Sequence, residues 1–246
     1  MWFINRSAPH SMQQARRKLR MGIALIDGVS RRCALKTLVT TPWLSAPAIV
    51  LGADDAPYRA NDPMAGNPDY FWTLPRWVWL HRPASGETIK LVYWQDGQLI
   101  DNAYQQISWF LRDVRFQKML DAKSPVIYRA LDAGRIGREH LSPWALMDPI
   151  LIDILYAYSA WLNYYGIQKP LTLTSALRHM LTNEMTEGAA RNSWHTKAGA
   201  ADVVIPGVSP AASAKFGKWL SGGGVGLYIQ KNFVHLDRGR VRSWTS

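Results

Sequence analysis

The sequence is poor in cysteine, with Cys33 the single one in 246 residues. That excludes an internal disulfide framework and any cysteine-rich zinc module. Acidic residues are scarce, 18 against 29 basic, for a formal net charge of +11. Charged residues make up only 19% and hydrophobic residues 48%, so the chain has the composition of a core-burying protein rather than a disordered one. Fourteen prolines and 18 glycines are ordinary usage, which leaves out collagen and low-complexity architectures. Tryptophan, by contrast, is abundant at 12 residues. Aromatic packing in the core accounts for most of it, and those at 72, 77, 79 and 94 are expected to pack between a hairpin and the core.

The positive charge is unevenly placed. Residues 1–53 carry eight basic residues against the single acid Asp27, a net +7, and the rest of the chain carries +4. A folded part so weakly basic does not call for a nucleic-acid partner. Ser30-Arg31-Arg32-Cys33-Ala34-Leu35-Lys36 stands directly before an apolar run from Thr37 to Val50. A positive segment, an apolar segment and then small residues is the order of a secretory signal. The paired arginines resemble a twin-arginine export signal, with Ala34 where that pattern usually has Phe. Such a signal implies carriage of a folded protein by the twin-arginine machinery to the periplasm or cell envelope. The alternative is an uncleaved anchor, but the run falls short of about 20 residues and Pro42 and Pro47 interrupt it. Ala46-Pro47-Ala48 and Leu51-Gly52-Ala53 both offer small residues for cleavage, and the second leaves the longer apolar run.

We therefore expect a signal over 1–53, a linker over 54–74 and one α+β domain over 75–246. Arg76 to Leu80 and Thr88 to Trp94 alternate around the turn Pro83-Ala84-Ser85-Gly86 and read as a β-hairpin. Ile107, Phe110, Leu111 and Val114 form a helical stripe over 103–115. Pro125 to Ala133 reads as a second helix. Pro149 to Tyr165 is apolar nearly all round and reads as the buried central helix, stopped by Gly166. Strands are expected at 169–174, 201–205, 222–228 and 233–236, and a helix at 209–220. A small antiparallel sheet would carry the chemistry. Gly222-Gly223-Gly224 lacks the Gly-Lys-Ser/Thr of a phosphate loop and reads as a turn into a strand.

Among the histidines beyond the signal, two have carboxylates at informative spacing. Asp202 follows His195 by seven residues, and Asp237 follows His235 by two. Imidazole and carboxylate are usual zinc ligands, and two His with one Asp leave a fourth tetrahedral position open, the layout of a catalytic site. On a strand, 235 and 237 share a face, so Asp237 can stand beside whatever His235 holds, as orienter or proton acceptor. Taken alone, this spacing also fits ordinary core or surface histidines.

The context narrows it. Ser193-Trp194-His195 through Asp202, then Gly222-Gly223-Gly224-Val225-Gly226-Leu227-Tyr228, then Asn232-Phe233-Val234-His235-Leu236-Asp237 resemble the murein endopeptidase K family. That family sits among zinc peptidases that include D-alanyl-D-alanine carboxypeptidases, lysostaphin and hedgehog-type domains. Ser175-Ala176-Leu177-Arg178, with Asn183 five residues on, keeps the Ser and Arg of a family Ser-Gly-Tyr-Arg motif. The likeness spans roughly 78–244, and residues 116–148 look longer than the corresponding stretch.

The resemblance implies one zinc ion held by His195, Asp202 and His235. It implies hydrolysis of amide bonds in peptidoglycan cross-links or stem peptides; the chain is expected to be a monomer. Some relatives place a base where this chain has Asn232 or Phe233, so Asp237 becomes the candidate for base or water orienter. Arg178 becomes the candidate for binding the developing oxyanion or a peptide carboxylate. His179 beside it reads as a surface residue. The competing reading is a non-catalytic envelope protein that keeps the fold and only binds wall peptides.

Overall fold

The computed structural model describes residues 68–246. The export segment, both candidate cleavage sites and most of the expected linker lie outside the described residues. The last part of that linker is not a linker: Pro68–Thr73 is a helix, α1. Its polar start conceals Phe71 and Trp72, both buried, with the Phe71 ring stacked on Tyr156 at 4.9 Å.

The hairpin forms as expected from β1 (Arg76–Arg82) and β2 (Glu87–Gln95), joined by a turn in which Gly86 adopts φ +71. β3 (Gln98–Leu99) extends it on the outer side. The expected single helix over 103–115 is instead two, α2 (Asp101–Phe110) and α3 (Val114–Asp121). The apolar stripe runs on through the break, but Asp113 accepts hydrogen bonds from the backbone N–H groups of Arg115 and Phe116 and so starts a new helix. α4 (Pro125–Asp132) follows, with Ser124 as its cap.

α5 (Pro149–Tyr164) is the central helix. Asp148 caps it, Pro149 occupies its first turn, and every residue from Leu151 to Leu162 is buried. Full burial of one Leu or Ile is worth about 1.5–3 kcal/mol, so this helix is a large share of the core. After it come β4 (Leu171–Ser175), α6 (Met180–Glu184), β5 (Ala200–Val204), α7 (Pro210–Leu220), β6 (Gly224–Tyr228), β7 (Phe233–Asp237) and β8 (Arg242–Thr245).

The described strands form one eight-stranded sheet in the order β3-β2-β1-β4-β5-β7-β6-β8. It is larger than the small antiparallel sheet expected, and mixed. β1 joins β4 in parallel, which is why the hairpin extends the sheet rather than standing apart, and β8 joins β6 in parallel. Trp72 and Trp77 are buried, and Trp79 and Trp94 pack at the core's margin, so the hairpin tryptophans do pack against the core. A second, smaller cluster of Phe116, Ile127, Ala130, Ile136 and Leu181 sits under residues 116–148. No helix among the described residues is long and apolar enough to cross a membrane.

One buried ion pair ties the hairpin to α5. Arg76 donates twice to Asp153, at 3.0 and 2.9 Å, and Tyr93 donates to the same carboxylate at 2.6 Å. Removing one partner leaves an uncompensated buried charge. Asp153→Ala is expected to cost about 3–5 kcal/mol. Urea denaturation measures it, and a loss below about 1 kcal/mol would show the pair to be expendable.

Candidate metal centre

The site is built across the middle of the sheet. β5 pairs with β7 so that Asp202 lies opposite His235. His195 arrives from the short 3-10 turn Trp194–Lys197 just before β5, where the Ser193 side chain accepts from the His195 N–H. Ala198 ends that turn at φ +55 and sends the chain into the strand. An irregularity in β4 between Leu173 and Ser175 turns Ala176–Arg178 toward the same place, where the Arg178 N–H bonds the His195 carbonyl.

Three acceptor atoms converge there. Asp202 Oδ1 lies 2.8 Å from His235 Nδ1 and 3.3 Å from His195 Nε2, and the two ring nitrogens are 3.1 Å apart. Corners of a tetrahedral zinc site are about 3.3 Å apart. The outer ring nitrogens have other partners. His195 Nδ1 faces the Ala176 carbonyl, which only accepts, so that nitrogen carries the proton. His235 Nε2 faces Asp237 Oδ2 at 3.1 Å. Both imidazoles therefore turn their lone pairs inward, toward a carboxylate. Such a group repels itself unless a cation, metal or proton, sits among its members, so the donor set fits zinc.

The electrostatics point the same way. Burial lowers the His195 pKa. Burial also opposes charge on His235, but Asp202 and Asp237 outweigh it and raise that pKa. The Asp202 carboxyl is held far below the ordinary range, because His195 and His235 overcome the effect of its burial. Arg178 completes the surround, donating from Nη2 to Asp202 Oδ2 at 2.9 Å and from Nε to Ser175 Oγ at 3.1 Å.

Asp237 does not stand where a base would. It is fully buried and lies on the far side of the His235 ring from the cluster. Both its oxygens are occupied. Oδ1 accepts from the Gly224 and Gly239 N–H groups, and Arg242 forks onto both oxygens at 3.0 and 2.7 Å. Burial would raise its pKa, but His235, Arg242 and the Gly239 N–H keep it far below the usual carboxylate range. Its contacts are those of neither expected role, base or water orienter; they are those of a carboxylate that orients the His235 ring. His179, expected at the surface, is half-buried and fully engaged. Its ring stacks on Phe116 at 3.6 Å, Nε2 donates to the His140 carbonyl, and Nδ1 accepts from the Leu181 N–H. Asn232 takes φ +54 in the turn before β7, and Phe233 stacks on Tyr228 at 4.5 Å.

Arg242 and Trp244 are residues that sequence reasoning missed. In register, His235 lies opposite Gly226, which lies beside Trp244; Asp237 lies opposite Gly224, which lies beside Arg242. The two glycines clear lanes across β6. A Cβ at Gly226 would meet the Trp244 ring at 2.6 Å, and one at Gly224 would strike Arg242 and Asp237. Trp244 thereby comes within 5.3 Å of the His235 ring. The signal was present as a period of two: Gly224-x-Gly226 against Arg242-x-Trp244. A cavity of about 640 Å³ opens over the cluster, with Arg178 on one side and Tyr228, Phe233 and Trp244 on the other.

Comparison with known proteins gives the chain a family. The family model described as peptidoglycan L,D-endopeptidase MepK matches residues 136–244. The Escherichia coli K12 protein named peptidoglycan L,D-endopeptidase MepK is 31% identical over 174 residues, covering 69% of this chain and 80% of that protein. The chain belongs to the MepK family. A Haemophilus influenzae protein named probable peptidoglycan L,D-endopeptidase MepK is 38% identical over 109 residues, 40% of this chain and 54% of that one. No solved structure matches the chain significantly. The family match takes in the three converging residues, Arg178 and the glycine lanes, and begins after α4.

The lanes give a test. Gly224→Ala is expected to push Arg242 off Asp237 and to cost about 1–3 kcal/mol by overpacking. Denaturation measures the loss, and a crystal structure of the variant with the Arg242–Asp237 fork intact would contradict the account.

Proposed function

We propose that this protein is an exported, zinc-dependent endopeptidase of peptidoglycan. The observation that carries the reading is the set of three inward-facing acceptors, His195 Nε2, Asp202 Oδ1 and His235 Nδ1, in a member of the MepK family. Those three would hold the metal. Bound there, zinc supplies a Lewis acid for the scissile carbonyl and lowers the pKa of water toward 7.

The chain's own residues do the rest. Ala176 and Asp237 fix the tautomers of the two histidines by accepting from their outer nitrogens. Arg178, tied to Asp202 by one nitrogen and to Ser175 by another, keeps Nη1 free of protein partners at the cavity wall, where a guanidinium can take up oxyanion charge. Trp244, Tyr228 and Phe233 give the cavity an apolar side that limits water at the reacting bond.

Single alanine substitutions of His195, Asp202 and His235 are expected to abolish stoichiometric zinc and digestion of purified peptidoglycan. Asp237→Asn should weaken zinc binding by about 10–100-fold, the usual effect of losing a partner behind a histidine ligand. Arg178→Lys should keep the metal and lose about 10²–10³ in rate. Metal analysis beside muropeptide release separates these outcomes. Zinc-loaded protein that binds peptidoglycan and never cleaves it would establish the binding-protein reading instead.

Residues 1–53 belong to the same proposal as a twin-arginine signal. Replacing Arg31 and Arg32 with Lys should block appearance in the periplasm. Undiminished export of that variant would remove the twin-arginine route.

A further inference from the structure

A second cavity, of about 930 Å³, adjoins the one over the cluster and shares Arg178 and Ala189 with it. One wall is Glu139, His140, Ser142 and Trp144, from the stretch that looked longer than its counterpart in relatives. The other is the Leu177–Glu184 segment, with Arg191 at the rim. His179 pins the two walls together through Phe116 and the His140 carbonyl, so the cavity is a built feature rather than a gap between loose loops.

Its charges are unevenly satisfied. Glu184 is paired with Arg135, and Glu139 lies 3.4 Å from the His140 ring. Arg191 has no ion-pair partner among the described residues, and Arg178 Nη1 is free at the junction of the two cavities. Asn183, buried at the cavity's edge, donates from Nδ2 to the Ala190 carbonyl, which positions Arg191. Its Oδ1 has no hydrogen-bond partner. That oxygen is shut off from the cavity, so the part Asn183 plays there is to hold the Ala190–Arg191 backbone in place. Leu177, Met180 and Trp144 supply apolar contact, and Met180 and Trp144 are left exposed.

We infer that this second cavity is the subsite for the peptide arm on one side of the cleaved amide, and that Arg191 holds a free carboxylate on that arm. The inference rests on the peptidase reading above. It also accounts for residues 138–145, which wall the groove that runs from Trp244, past the cluster and Arg178, to Trp144. Arg191 acts as a specificity residue that recognises an acidic peptide end through a charge-assisted hydrogen bond. It takes no part in bond breaking.

The test uses two probes and the full mature chain. One is a synthetic cell-wall stem tripeptide with a free terminal carboxylate, and the other is the same peptide as its carboxamide. Calorimetry with metal-free protein should find the carboxylate form bound about 10-fold more tightly, the scale of one such bond at a partly exposed site. Arg191→Gln should erase that preference and Arg191→Lys should restore part of it. Trp144→Ala should weaken both forms alike. Equal binding of the two forms by the unaltered protein, or a preference that survives Arg191→Gln, overturns the role of Arg191. Unchanged binding in Trp144→Ala overturns the cavity as the subsite. These readouts need no turnover, so failure of the zinc-loaded protein to cleave peptidoglycan would count against the peptidase reading and leave them standing.

Discussion

Everything at the centre of this protein follows from three lone pairs that point at one another. His195 and His235 have given their outer N–H groups to Ala176 and Asp237, so their inner nitrogens are acceptors, and the group they face is a carboxylate. In a buried place this arrangement is stable only around positive charge. The surroundings maintain it rather than relieve it. Arg178 braces Asp202 from one side and Arg242 holds Asp237 from behind, so neither carboxylate turns away. On the proposed reading the cluster is a cation site arranged in advance, with Arg178 and Arg242 holding its two neighbouring carboxylates in place.

The sheet makes that preorganisation possible. Side chains two apart share a face, and the pairing of β5, β7, β6 and β8 sets Asp202, His235, Gly226 and Trp244 in one row, with Asp237, Gly224 and Arg242 in the next. Only glycine in β6 lets the edge strand reach over its neighbour. The parallel β8 is therefore part of the site's support, although it carries none of the three converging residues. On the other side of the cluster, the Arg76–Asp153 pair joins the hairpin to α5 and fixes the sheet on its core helix.

Much of this was legible beforehand. The central helix announced itself by Pro149, a run apolar nearly all round and Gly166, and its observed span matches to within one residue. That His195, Asp202 and His235 come together was readable from the motifs around them, where spacing alone left it open. The remainder was hidden for definable reasons. Period two placed Asp237 on the face of His235 but did not tell which side of the ring it would meet. The matching period of Gly224-x-Gly226 and Arg242-x-Trp244 carried no meaning without the strand order that sets them side by side, which local patterns do not encode. The helical period continued past Leu111, so the Asp113 cap that divides α2 from α3 was overlooked. Asp, Pro and Asn around 61–69 read as linker and obscured Phe71 and Trp72. His179 looked like a surface residue because its partners, Phe116 and His140, lie far away in sequence.

The family and the geometry meet in one claim, that a metal ion belongs among His195, Asp202 and His235. Anomalous diffraction from crystals of the zinc-loaded protein, collected on both sides of the zinc edge, tests it directly. The account predicts a single strong peak about 2.0–2.2 Å from His195 Nε2, Asp202 Oδ1 and His235 Nδ1. A peak held by other residues, or none at saturating zinc, would contradict it.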